Sequence, residues 1–428
     1  MDLLSRFKKD YLNYLISIIL PAFIAGISVP VFKHLLGAQG YGNFAIYYNA
    51  ALIGTAITTG WITQSIYRFY PSNTNKHLFA KLSIALSNRT QLFFFLPVIF
   101  FVWYFKNDIL LGILVCLAIF MNAMQFAFIA IAQSSFLSKK TIYSETIRAV
   151  SYIVIALILL LVTPSNYLYV LFIANIISYA LSVYYLRSQT RLFFIQNSSQ
   201  DTQGLTFGRL ARQFFKYGAP LSMWVVFAYL LPYIDKILIL HNLGPQVQGN
   251  YQALFDFLFR GLTVLISPVL ISLLPLLTQA YEKQKINEIR QLLKKIILFE
   301  LGGFLVSAIL YWWFGAKLIF IILKIPDTIS FRLMGLVIIL GTFIWQIAMV
   351  VHQKYVLKMK SLFLLCMIAA AFCSQLIFYW FTRKSVDPLI YPLGYLIAAI
   401  FYLFFVSISQ IPMILKSLFI RVKNYFAR

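Results

Sequence analysis

The chain reads as an all-α polytopic membrane protein with about twelve transmembrane helices in two parallel six-helix lobes. Three observations carry that reading: an apolar composition, a chain-long alternation of apolar runs with short polar breaks, and an internal repeat. Of 428 residues, 61% are hydrophobic and 11% charged, too few polar groups to coat a water-facing surface, which excludes an ordinary soluble enzyme. A bilayer-crossing helix needs about 20 mostly apolar residues. Such stretches occur at 11–36, 41–70, 82–105, 109–136, 142–162, 167–187, 214–243, 248–277, 292–314, 329–356, 361–382 and 386–409. The apolar piece 318–325 is too short to cross and is expected at the interface.

The first span follows a basic start but far outruns a signal-peptide core, so it is expected to stay in the mature protein. Charge then tests the count. With the N-terminus cytoplasmic, 25 of the 36 Lys and Arg fall in inner segments and 7 in outer ones. That asymmetry supports twelve spans with both termini inside. The net charge of +24 is therefore read as orientation signal and contact with anionic headgroups, not as a nucleic-acid footprint. Cys116, Cys366 and Cys373 lie in apolar runs as small hydrophobes. No Cys-x-x-Cys, His-x-x-x-His or Walker loop occurs, so no metal and no cofactor is expected, and an ATP-driven pump is disfavoured.

The segment His34-Leu35-Leu36-Gly37-Ala38-Gln39-Gly40-Tyr41-Gly42-Asn43-Phe44 recurs, 207 residues on, as His241-Asn242-Leu243-Gly244-Pro245-Gln246-Val247-Gln248-Gly249-Asn250-Tyr251, with six of eleven positions identical. Six spans per copy make the copies parallel. The chain divides into an N-terminal lobe 1–187, a basic cytoplasmic linker 188–213, a C-terminal lobe 214–410 and a basic amphipathic tail 411–428 that anchors to the inner surface. Gly37, Gly42, Gly244 and Gly249 are expected to allow a tight turn or positive φ. Pro21 and Pro30 interrupt the first helix of one lobe, Pro220 and Pro232 that of the other. Paired interruptions point to a central site, although isolated prolines are also simply tolerated in membrane helices.

Four basic residues belong to neither the inner nor the outer tally: Arg89, Arg148, Lys236 and Arg260. Charges at such depth cost about 2.5–3.5 kcal/mol and usually face protein or a wet cavity. Asp235 and Lys236 precede the second repeated turn by about ten residues, and Asp256 and Arg260 follow it by as many, so all four share a level about 15 Å below the outer hairpin. The first lobe carries Ser28, Val29, Asn49 and Ile53 at the matching positions, so the repeated fold does not itself require the charges. The competing reading is a structural ion-pair network between the seventh and eighth helices. Arg89, and Glu145 with Arg148, fit a basic inner vestibule or snorkelling to headgroups equally well. Glu300, in the ninth helix, is a lone acid and a candidate proton or sodium site. Tyr47, Tyr48 and Trp61 would suit sugar stacking, but interface belts explain most aromatics.

Leu36-Gly37-Ala38-Gln39-x-x-Gly42-Asn43-Phe44 and Thr63-Gln64-Ser65-Ile66-Tyr67-Arg68-Phe69, with Tyr217-Gly218-Ala219-Pro220-Leu221, Asp235-Lys236 and Gly244-x-x-x-x-Gly249-Asn250-Tyr251, resemble the bacterial polysaccharide-biosynthesis flippases, which include those for O-antigen. These belong to the multidrug, oligosaccharidyl-lipid and polysaccharide exporter superfamily, and the resemblance covers nearly the whole chain. It implies two lobes around a central cavity lined mainly by the first, second, seventh and eighth helices, alternating access, and an undecaprenyl-diphosphate-linked oligosaccharide as substrate. It also implies the bacterial cytoplasmic (inner) membrane and neighbours such as the polymerase and glycosyltransferases of lipopolysaccharide or related pathways. On that implication Arg260 and Lys236 neutralise the diphosphate, Asp256 and Asp235 hold the cations, and Asn49 binds sugar. Asp235, Asp256 and Glu300 are then the candidates for proton or sodium coupling. A cation-coupled multidrug antiporter of the same fold is the alternative, disfavoured by the basic balance once Arg89 and Arg148 are counted. A polytopic polymerase or ligase ranks third, because the longest outer break is the modest 315–328.

Overall fold

A backbone surrounded by hydrocarbon has no water to satisfy its N–H and C=O groups, so it must bond to itself along a helix. The computed structural model, which describes residues 3–190 and 206–408 apart from 72, 74, 136, 283, 359, 384 and 386, contains no strand among those residues. Its helices are α1 (3–36) and α2 (38–69), joined at Gly37, then α3 (Lys76–Lys106), α4 (Ile109–Ser134), α5 (Ser138–Val162) and α6 (Tyr167–Thr190). There follow α7 (Phe207–Leu243), α8 (Pro245–Glu282), α9 (Ile286–Leu310 and its continuation), α10 (Ile329–Leu357), α11 (Ser361–Thr382) and α12 (Ile390–Ile408). These correspond one to one with the twelve expected spans. Among the described residues nine helices satisfy length and apolarity for crossing a membrane. The proposed tail 411–428 and residues 191–205 of the linker lie outside the described residues, and α7 already begins at Phe207.

Short caps end the helices where the sequence breaks. The Asn75 and Asp108 side chains accept the Leu78 and Leu111 N–H groups at 3.0 and 2.9 Å, satisfying orphan donors at the starts of α3 and α4. One expectation is corrected at α9. The stretch 318–325 is no separate interfacial piece, because the helix passes through a π-turn at Tyr311–Gly315 into Ala316–Leu323. The π-turn keeps the backbone bonded, with Ala316 N–H donating to the Tyr311 carbonyl. The outer break expected at 315–328 therefore shrinks to 324–328.

The repeat is visible in the backbone. Gly37 and Gly244, equivalent by sequence, take φ 68°, ψ 175° and φ 85°, ψ 171°, a region where a side chain is strained. Gly42 and Gly249 do something different from turning. Both are helical, and a Cβ on Gly249 would overlap the Ala38 carbonyl while one on Gly42 would overlap the Gln248 side chain. The two copies of the motif thus pack on each other at their glycines.

The described chain forms two compact units. One holds 15–264 and 321–325; the other holds 3–14, 265–320 and 326–408. In the first, α7 lies against α2. A Cβ on Gly218 would overlap the Trp61 carbonyl, Ser222 Oγ donates to the Ala56 carbonyl at 2.5 Å, and Ser65 Oγ donates to the Phe214 carbonyl at 3.1 Å. Ile62, Ile66, Phe79, Ile131, Leu210 and Phe214, from α2, α3, α4 and α7, form one buried cluster beneath this crossing. Residues 321–325 end α9 against α1. Lys33 Nζ, buried, donates to the Leu323 and Lys324 carbonyls at 2.5 and 3.3 Å, and His34 Nε2 lies 2.6 Å from the Ile322 carbonyl. A cation at a helix C-terminus satisfies carbonyls that the helix leaves open.

In the second unit α10 and α12 share buried polar contacts, His352 Nδ1 to Tyr402 OH at 2.7 Å and Tyr355 OH to the Val406 carbonyl at 3.2 Å. Leu277, Leu292, Ile296 and Val350 pack α8, α9 and α10 together.

Gly249→Ala must push the Ala38 backbone away, and overpacking of this kind costs about 1–3 kcal/mol. Gly261→Ala meets nothing within 4 Å. Thermal unfolding of the two variants in detergent should show a clear loss for the first and no loss for the second.

Candidate functional site

Four helices of the first unit each present side chains spaced for one helical face. From α1 come Ser28 and Phe32; from α2 Tyr41, Phe44, Ala45, Tyr48, Asn49 and Leu52; from α5 Arg148, Ala149, Tyr152 and Ile153; from α8 Asp256 and Arg260. They enclose a cavity of about 320 Å³, within the size range of small-ligand sites. Its aromatic walls are braced in pairs, Phe32 edge-on to Tyr152 at 5.4 Å and Phe44 stacked with Tyr48 at 5.6 Å.

Asp256 organises one wall. Its Oδ1 lies 3.6 Å from Lys236 Nζ, and its Oδ2 accepts from Tyr41 OH at 2.9 Å and from Gln252 Nε2 at 2.6 Å. One carboxylate therefore ties α2, α7 and α8, and the common level expected for Lys236 and Asp256 is seen as a contact. Lys236 is 2% exposed, with its ammonium 5.0 Å from the Phe255 ring centroid, and it lies behind the cavity lining. Asp235 is buried beside it and accepts from Tyr251 OH at 3.1 Å. Of the four charges read at this level, Asp256 and Arg260 face the cavity; Asp235 and Lys236 support it from behind.

Arg148 completes the site. The expected span 142–162 puts it within two turns of the helix start, but α5 starts at Ser138, so Arg148 sits ten residues in, about 15 Å along the axis. Its Nε and one Nη donate to Glu145 Oε2 at 3.0 and 2.8 Å, and its guanidinium lies 5.4 Å from the Tyr179 ring centroid. Two guanidinium groups, from α5 and α8, thus share one cavity. Asn49, the repeat equivalent of Asp256, donates to its own helix at the Ala45 carbonyl, 2.7 Å away, and lines the same space.

The other expected residues lie elsewhere. Arg89 is exposed, 4.4 Å from the Phe207 ring centroid, outside the cavity lining. Glu300 is 1% exposed in the second unit, and neither carboxylate oxygen has a hydrogen-bond partner among the described residues. Among the aromatics singled out for stacking, Tyr48 lines the cavity, whereas Trp61 packs edge-on against Phe215 at 5.8 Å. Tyr41 and Tyr152 were missed. The repeat could have flagged Tyr41, since it stands beside Gly42 at the point where the two motif copies meet.

No protein-family model and no curated protein sequence matches the chain. Solved structures do. A point mutant of the Vibrio cholerae MATE transporter VcmN aligns over 95% of this chain and 97% of its own, with a TM-score of 0.71 at 15% identity. An inward-facing multidrug resistance MATE family transporter of the MOP superfamily aligns over 92% and 94%, with a TM-score of 0.66 at 13% identity. A MOP superfamily transporter from Pyrococcus furiosus, described as having a binding pocket of reverse polarity that suggests a different function, aligns over 94% and 96%, with a TM-score of 0.67 at 11% identity. At these identities the likeness is one of fold, and the fold is MATE-like.

Asp256→Leu removes the carboxylate facing the buried Lys236, and leaving one member of a buried pair uncompensated costs about 3–5 kcal/mol. Lys236→Met leaves Asp256 with its Tyr41 and Gln252 donors and should cost less. Adding Lys236→Met to Asp256→Leu should recover stability in a detergent melting assay.

Proposed function

We propose that the protein is a flippase that carries a lipid-linked oligosaccharide, of the undecaprenyl-diphosphate type, from the inner to the outer leaflet of the bacterial cytoplasmic membrane by alternating access. The observation that carries this reading is the pair Arg148 and Arg260 in one membrane-embedded cavity beside Asn49, Tyr48 and Tyr152. Guanidinium groups match the oxygens of a diphosphate with planar, charge-assisted donors, and the tyrosine faces and Asn49 amide suit a sugar ring. A volume of about 320 Å³ suits the diphosphate and the adjoining sugar, and the hydrocarbon tail can stay in the bilayer while the polar head crosses. Asp256 keeps the α8 side of the cavity in place through Lys236, Tyr41 and Gln252, and Arg260, one turn further on, meets the ligand. Of the three acids considered for ion coupling, only Asp256 borders this cavity. The MATE-like fold supports transport rather than catalysis.

A multidrug antiporter remains the second reading, favoured by the multidrug resistance transporter among the structural neighbours. A lipophilic cation would have to enter a cavity lined by Arg260, by Arg148 paired with Glu145 and by one partnered carboxylate, which like-charge repulsion disfavours. The Pyrococcus furiosus neighbour is described as a MOP superfamily transporter whose pocket polarity is reversed, which fits a fold that serves more than one class of ligand.

Deletion of the protein should leave undecaprenyl-diphosphate-linked oligosaccharide on the cytoplasmic face, read with a membrane-impermeant sugar probe on right-side-out and inverted vesicles. Accumulation on the outer face would point to a polymerase or ligase, and no accumulation to the antiporter. Arg148→Ala and Arg260→Ala should each reproduce the deletion in part. A lost charged hydrogen bond is worth about 1.5–3 kcal/mol, so export should fall roughly 10- to 100-fold at equal protein level.

A further inference from the structure

Resting on the anionic-headgroup reading above, we propose that the Tyr152 hydroxyl is a third anion donor of the cavity: it donates a hydrogen bond to a phosphate oxygen held between Arg148 and Arg260. Tyr152 follows Arg148 by four residues on α5, so both stand on one face of that helix. Both line the cavity that Arg260 enters from α8. The phenol lies within electrostatic reach of the two guanidinium groups and of Tyr48.

This hydroxyl is buried and has no hydrogen-bond partner among the described residues, although a buried tyrosine usually finds one. Its surroundings give the reason. A guanidinium only donates, so neither arginine offers Tyr152 an acceptor. The carboxylates of this region are already occupied. Glu145 accepts twice from Arg148 and once from Gln125, and Asp256 accepts from Tyr41 and Gln252 and faces Lys236. What the position lacks is an acceptor, and a diphosphate brings several, whereas the cationic centre of a drug brings none.

Packing fixes where the phenol stands. Phe32 meets the Tyr152 ring edge-on at 5.4 Å, so the donor is positioned before a ligand arrives. Because the hydroxyl is buried, engagement includes a shift of the wall that covers it, and the donor has no water to surrender. The bond then forms in a dry surround, where hydrogen bonds are electrostatically stronger than in water. Tyr41, another phenol of the cavity, cannot take this role, since its proton is committed to Asp256.

The test is calorimetric binding to the full-length protein with two probes, a short polyprenyl diphosphate and the same lipid carrying one sugar, together with thermal unfolding in detergent without probe. In Tyr152→Phe, which keeps the ring against Phe32, affinity for both probes should fall about tenfold or more. The unfolding temperature without probe should stay level or rise, because the substitution removes a buried hydroxyl that has no partner. Equal affinity in Tyr152→Phe and the native protein, or a loss confined to the sugar-bearing probe, overturns the phosphate donor and leaves the anion site standing. A lower unfolding temperature without probe assigns the hydroxyl to the fold instead and overturns the proposal as well. No binding of either probe by the native protein overturns the anion site and the donor with it.

Discussion

Charge buried in an apolar surround must be paired, and in the first unit the pairing centres on the Asp256 carboxylate. Lys236 from α7, Tyr41 from α2 and Gln252 from its own helix all converge on it. An ion of this kind is too costly to bury alone, so once α7 carries Lys236 at this depth, α8 must bring a carboxylate to it and α2 must bring a donor to what remains. The same arrangement places Arg260 one turn further along α8, where it faces the cavity. A requirement of stability thus becomes the positioning of a binding group.

The second constraint is how closely the helices approach. Gly42 and Gly249 let the two copies of the repeated motif touch backbone to side chain and backbone to backbone, and Gly218 does the same for α7 against α2. Small residues suit a membrane because helices there gain from close van der Waals packing rather than from expelling water. Tyr41 owes its reach to this contact, since it adjoins Gly42, and so Asp256 owes to it one of its donors. Packing at the motif and electrostatics at the cavity form one system.

Much of this was legible in the chain. Span number followed from apolar run length and was checked by loop charge, and the common level of Lys236 and Asp256 followed from counting residues away from the repeated turn. Reading failed where continuity of hydrogen bonding decided the outcome. The segment 318–325 looks like a separate short element by hydropathy, yet a π-turn carries α9 straight into it. Arg148 was placed a turn too shallow because α5 begins in the polar residues Ser138, Lys139 and Lys140, which hydropathy assigns to a loop. Lys33 likewise reads as a loop charge, and becomes buried because the end of α9 offers carbonyls that need a donor.

By itself, then, the sequence determined the helical architecture, the repeat, the glycines at its turns and the common level of Lys236 and Asp256, because each depends on local properties: run length, period and residue spacing along one helix. Only the tertiary structure decided which charges share a space. Whether Arg148 lines the same cavity as Arg260, and whether Lys236 faces a ligand or a carboxylate, both depend on how helices distant in sequence are rotated against one another. That rotation is set by packing among many side chains at once, which no spacing along a single helix encodes.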